Sequence, residues 1–278
     1  MAVAQDQSWS FKNWNKYKSQ KKSPAGETEG WFKAWGIPKE DGWAWPHKGE
    51  SVTNHEIVKD PANKKEQVLK VNYPKGSNSP NSDPQGGVGF YAQPFKLKQE
   101  AKTLVFEYKV YFPKKFQFVK GGKLPGLYGG HEGCSGGADA TTCFSTRFMW
   151  RRDGEGEIYA YLPESKQRDS LCDEKGNICN SDYGYSLGRG SWKFKTGDWN
   201  TVRQTLKLNS PGKDDGSVTV EVDGKTAYTE KNVAFLNKNT GKVVGVAFHT
   251  FFGGSGSEWA PKKKESTYFK GFSLKAHY

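Results

Sequence analysis

A lysine, a serine, two arginines and three tyrosines crowd the middle of this chain, in Lys123-Leu-Pro-Gly-Leu-Tyr-Gly-Gly130, Phe144-Ser-Thr-Arg-Phe-Met-Trp-Arg151 and Glu157-Ile-Tyr-Ala-Tyr161. A cation beside a phenol is what removal of a proton next to a carboxylate requires. The cation stabilises the charge that develops, and the phenol moves the proton. Side chains alternate between the faces of a strand. Read as two strands after a glycine-rich loop, the segment puts Ser145, Arg147, Met149 and Arg151 on one face, with Glu157, Tyr159 and Tyr161 together on the next strand. The two sets meet only if the connection through Asp153-Gly-Glu-Gly156 has odd length, since a one-residue slip turns every side chain over. The glycines at 154 and 156 suit a three-residue turn with a bulge. Arg147 is then expected opposite Tyr161, and Met149 opposite Tyr159, on an exposed face.

The elements that must carry these residues are strands. Thr103–Phe112 alternates, with Leu104, Phe106, Tyr108, Val110 and Phe112 facing one way. Thr201–Leu208 alternates likewise, and Ser217–Val222 followed by Asp223-Gly224 is a hairpin signal. Gln67–Tyr73 and Tyr268–Lys275 read as further strands, Thr267–Gly271 as an edge, and Val243–Phe252 as a buried strand, being nearly continuously apolar. No convincing amphipathic helix appears. The expectation is an all-β, antiparallel β-sandwich in one domain, spanning residues 61–278. Residues 1–60 form a Trp-rich, irregular extension packed upon it, in which Trp31, Trp35, Trp43 and Trp45 pad the sandwich.

The formal net charge of +12, from 42 basic and 30 acidic residues, favours a polyanionic partner. The lysines are scattered and no nucleic-acid-binding signature accompanies them, so nucleic acid is not expected. No apolar run approaches the ~20 residues of a membrane span, so no membrane partner is expected either. Four cysteines fall in two close pairs, Cys134 with Cys143 and Cys172 with Cys179. None of the spacings is Cys-x2-Cys and no histidine cluster joins them, which favours disulfides over zinc. Disulfides imply an oxidising compartment and hence secretion, although Met1-Ala-Val-Ala-Gln-Asp lacks the apolar core of a signal peptide.

The order of these motifs, together with Gly133-Cys-Ser-Gly-Gly137, Ser186-Leu-Gly-Arg-Gly-Ser191 and Thr250-Phe-Phe-Gly-Gly-Ser255, resembles polysaccharide lyase family 14, over roughly residues 86 to 275. Members of that family cleave uronic-acid polymers such as alginate and glucuronan. The resemblance implies a β-jelly roll, and a reaction carried by Lys123, Ser145, Arg147, Tyr159 and Tyr161. Arg147 suits carboxylate neutralisation, because its planar fork matches a carboxylate. Lys123 adds charge, Ser145 donates a hydrogen bond, one tyrosine transfers the proton and the other positions the sugar. Nearby cations are expected to lower the phenol pKa from about 10. Glu157, Tyr128, His131 and Arg151 are the expected substrate contacts. No cofactor and no metal are expected, and the partner is an acidic polysaccharide bound by a monomer. A non-catalytic polysaccharide-binding module would share this composition. A paired-carboxylate hydrolase is disfavoured, because Glu155 falls at a hairpin tip.

Overall fold

Alternation along residues 103–111 becomes alternation of burial: Leu104, Phe106, Tyr108 and Val110 lose all solvent contact while the residues between them are half-exposed. The computed structural model describes residues 5–17, 30–37, 43–45, 54–97, 100–180 and 183–278. Among these, fifteen strands form two antiparallel sheets. They are β1 (Gln7–Phe11), β2 (Trp43–Trp45), β3 (His55–Lys59), β4 (Gln67–Tyr73), β5 (Val88–Ala92), β6 (Thr103–Tyr111), β7 (Gly121–Gly130) and β8 (Phe144–Arg151). The remainder are β9 (Gly156–Tyr161), β10 (Tyr185–Leu187), β11 (Trp199–Lys207), β12 (Gly216–Val222), β13 (Lys225–Val233), β14 (Val243–Phe252) and β15 (Glu265–His277). One sheet runs β13-β12-β11-β6-β15-β4-β3, with β1 also on β15; the other runs β10-β9-β8-β7-β14-β5-β2.

The inner faces interlock through aromatic rings. Tyr108 meets Phe148, Phe112 meets Trp150, and Phe272 meets Phe248, each pair 5.8 Å apart between centroids. Such rings bring large buried areas and edge-to-face contacts. One polar pair is satisfied between the sheets: Gln204 of β11 pairs with both the hydroxyl and the carbonyl of Thr146 on β8, at 2.7 and 3.0 Å. This is the β-sandwich expected from the alternation. Trp31 and Trp35, on a short helix α1 (Gly30–Trp35), are fully buried against it, as padding requires. The strand containing Trp43 and Trp45 pairs with β5, while their side chains lie outside the described residues.

Three expectations change. The stretch before residue 61, read as irregular, supplies β1, β2 and β3 to the sheets. Thr267–Gly271, read as an edge, lies inside β15, between β4 and β6. Lys123–Gly130, read as a loop, is the central strand β7, between β8 and β14. Its glycines serve close approach rather than turning. A Cβ on Gly126 would fall 2.1 Å from the Thr146 carbonyl oxygen, and one on Gly129 would fall 2.1 Å from the Phe144 ring.

Candidate active site

The residues with chemical potential gather on the outer face of the β7-containing sheet. The β8–β9 turn has the odd length this requires: Arg151 N–H donates to the Glu155 carbonyl at 2.6 Å across Arg152–Gly154, with Asp153 and Gly154 at positive φ. Ser145 then faces Tyr161, Arg147 faces Tyr159 and Met149 faces Glu157. The register lies two residues from the expected pairing, which keeps both sets on the same face. On β7 the register shifts between Lys123 and Gly126. This bulge reverses the alternation, so Lys123 and Tyr128, five positions apart, both reach the outer face.

That face is not exposed. Arg147 and Ser145 are each 3% exposed, Lys123 is 8% and Glu157 is 0%. The loop closed by the expected disulfide Cys134–Cys143 lies over it, and the segment before β10 approaches it at Gly184; the other expected disulfide, Cys172–Cys179, forms as well. The Gly137 N–H donates to the Tyr161 hydroxyl and the Gly184 N–H donates to the Tyr159 hydroxyl, both at 3.3 Å. Each phenol therefore accepts from backbone and keeps its own proton for another partner. The Ser145 hydroxyl donates to the Cys134 carbonyl at 2.7 Å, so its proton holds the loop rather than being offered outward.

The electrostatics centre on Lys123. Its Nζ lies 3.2 Å from the centre of the Tyr159 ring and 3.0 Å from Met149 Sδ. Burial, and then the nearby Arg147 and Arg151 charges, hold its pKa well below the ordinary lysine value. Desolvation penalises the ammonium, and cations penalise it further. The expectation for the tyrosines is overturned at Tyr159, whose pKa is pushed up to about 12. Burial does this first and Tyr161 adds to it; the Gly184 N–H and Arg151 oppose it without prevailing.

Arg147 has a partner that the sequence did not reveal. Its Nη1 lies 3.2 Å from His249 Nδ1, and its guanidinium carbon lies 5.6 Å from the Tyr161 ring centre. Burial and Arg147 keep His249 neutral, with its pKa well below the ordinary histidine value. Tyr91 packs edge-on to His249 at 4.8 Å, and its hydroxyl accepts the Gly133 N–H at 2.9 Å. Both residues sit in apolar strands, so no local pattern marked them.

The four expected substrate contacts fare differently. Arg151 stays at the site, half-buried beside Tyr159. Glu157 is engaged internally: its carboxylate accepts from Arg151 at 2.7 Å, Arg189 at 2.7 Å and Ser186 at 3.2 Å. It positions the cations instead of facing a sugar. Tyr128 is fully buried, and its hydroxyl accepts from Gln93 at 3.1 Å. His131 is exposed on the β7–β8 loop, its ring nitrogens engaged with the Glu132 carbonyl and the Thr142 hydroxyl. Glu157→Ala should leave two guanidiniums uncompensated and cost about 3 kcal/mol or more. Thermal unfolding should then fall by roughly 5–10 °C. A variant with unchanged Tm and a raised KM would instead make Glu157 a substrate contact.

Among the described residues, no group of three His, Cys, Asp or Glu side chains is placed to hold a metal ion. Among the described residues, no helix is long and apolar enough to cross a membrane.

Comparison with known proteins gives a consistent result. The family model of polysaccharide lyase 14 matches residues 61–272. The chain is 29% identical over 195 residues to Exolysin of Paramecium bursaria Chlorella virus 1. That match covers 61% of this chain but only 29% of the viral protein's length. The crystal structure of a marine polysaccharide lyase 14 alginate lyase from Aplysia kurodai superposes with a TM-score of 0.70 at 36% identity, covering 80% of this chain and 86% of that one. An alginate lyase from a Chlorella virus gives 0.61 at 27% identity, over 76% and 85% of the two chains.

Proposed function

The chain belongs to polysaccharide lyase family 14, and from that premise we propose that it cleaves 1,4-linked polyuronates by β-elimination. The observation that carries this reading is the joint burial of Arg147 and Lys123 on one sheet face, with the Lys123 amine against the Tyr159 ring. Alginate is the substrate class named for both related lyases, at 36% and 27% identity. Secretion fits the two disulfides.

The assignment of roles follows the protonation states. Arg147 pairs with the carboxylate at C5 and disperses the charge that builds there. His249 accepts one guanidinium N–H and so sets its tilt. Lys123, whose ammonium form is disfavoured by burial and by the neighbouring cations, takes the C5 proton on Nζ. The electrons of that C–H bond become the C4=C5 double bond as the C4–O4 bond breaks. The departing O4 receives the phenolic proton of a site tyrosine. Tyr159, with its pKa pushed up to about 12, is fully protonated at neutral pH and suits this role as acid. Tyr161, packed under Arg147, positions the sugar. The sequence expectation of a phenolate base gives way here to an amine base and a phenol acid.

The direct test is ultraviolet absorbance of the unsaturated uronate end, with alginate and glucuronan supplied separately. Absorbance should rise with alginate. Tight binding of either polymer without any rise in absorbance would reject the lyase reading in favour of a binding module.

A further inference from the structure

Beyond the reacting centre, the outer face continues towards a tryptophan that the mechanism does not use. Trp259 lies on a short 3-10 turn (Ser257–Trp259) after β14, and it is partly exposed instead of joining the core. Gly254, at a positive φ of 99°, lets the ring lie against the loop backbone, because a Cβ there would come within 2.3 Å of the indole. The ring is thereby backed by the loop on one side. Two cations flank it: Lys120 Nζ at 5.6 Å and the Arg151 guanidinium carbon at 5.9 Å from its centre. The same Arg151 carbon is 5.8 Å from the Tyr159 ring, so one guanidinium bridges Tyr159 and Trp259.

A flat aromatic ring receives the C–H face of a sugar, and a neighbouring ammonium or guanidinium receives a carboxylate. A neutral sugar would use only the ring. Ring and cations together match a uronate. Lys120 is presently paired with Glu258 at 3.0 Å, with side-chain exposures of 38% and 55%. An exposed pair of this kind contributes little and exchanges readily for another carboxylate. We propose that Trp259, Lys120 and Arg151 form a distal uronate subsite, which grips the polymer beyond the sugar that reacts at Lys123 and Arg147. This inference rests on the polyuronate-lyase reading for its substrate class.

Michaelis parameters on alginate, with calorimetric affinity measured alongside, test it through two substitutions. Trp259→Ala should raise KM and Kd about tenfold, while kcat falls far less. Trp259→Phe should recover part of the loss. Glu258→Gln, at an exposed position where misfolding is not expected, frees Lys120 and should lower KM about two- to threefold. Unchanged KM in both Trp259→Ala and Glu258→Gln would overturn the subsite. So would a loss in Trp259→Ala confined to kcat and accompanied by a lower Tm, which marks a purely structural ring. Failure of the parent to cleave alginate or glucuronan would reject the enzymatic reading. The subsite would then stand or fall on whether Trp259→Ala weakens the calorimetric affinity for alginate.

Discussion

Arg147→Ala should abolish lyase activity, with a loss of about 10³-fold or more, as expected when a preorganised donor to a developing charge is removed. The fold should survive. Among the described residues Arg147 has no acidic partner and its Nε no hydrogen bond, and its pKa is depressed chiefly by burial. Replacing such a group removes a desolvation cost along with its contacts. Arg147→Lys should recover little, because an ammonium lacks the planar fork that meets a carboxylate with two bonds. Rates on alginate, with Tm as the control for folding, decide the matter. Near-parent rates in Arg147→Ala would mean that another cation neutralises the carboxylate, and Lys123 would then be needed in its charged form.

His249 connects this expectation to how much of the site was legible. The run Val243–Phe252 is nearly continuously apolar, and side chains of both its faces are buried, from Val246 and Phe248 on one to Ala247 and His249 on the other. A strand covered on both faces loses the period-two alternation that would single out His249. Tyr91 is hidden in the same way on β5, whose five residues are all buried. By contrast, alternation puts Ser145, Arg147, Tyr159 and Tyr161 on a shared face whenever the connecting turn has odd length. That inference needed only parity, which a shift of two residues leaves intact.

Lys123 marks the opposite limit. Gly121-Gly-Lys-Leu-Pro-Gly126 has the composition of a loop, and only the neighbouring strands explain its glycines. The bulge at Leu124-Pro125 then breaks the parity by which its facing could have been read. Protonation was the least accessible property of all. Sequence proximity of cations suggested a lowered tyrosine pKa, whereas burial, which depends on the loops folding back over the sheet, raises that of Tyr159. The same burial lowers that of Lys123, and the base and acid exchange identities.

That exchange produces the second large effect. Lys123→Met should lower kcat by about 10²–10⁴-fold, the range for loss of a general base. The same variant should be more stable than the parent. It replaces a buried, poorly compensated amine with an apolar chain of similar length beside Met149, for a gain of roughly 1–2 kcal/mol and a few degrees in Tm. The pH dependence fixes the cause. Lys123 has a folded-state pKa below its unfolded value of about 10.4. Between those values the unfolded chain holds a proton that the folded chain has released, so parent stability rises with pH across that window. The stability gap between Lys123→Met and the parent should therefore be widest below the folded-state pKa and close towards about pH 10.4. Activity should follow the same group: kcat/KM rises as Lys123 loses its proton, reaches a plateau, and falls near pH 12 as Tyr159 ionises. Tyr159→Phe should be slow at every pH and should lack that alkaline limb. If Lys123→Met kept the parent's kcat, the amine would not be the base. If the stability gap did not narrow with rising pH, Lys123 would be charged in the folded protein and its part in the reaction would be electrostatic.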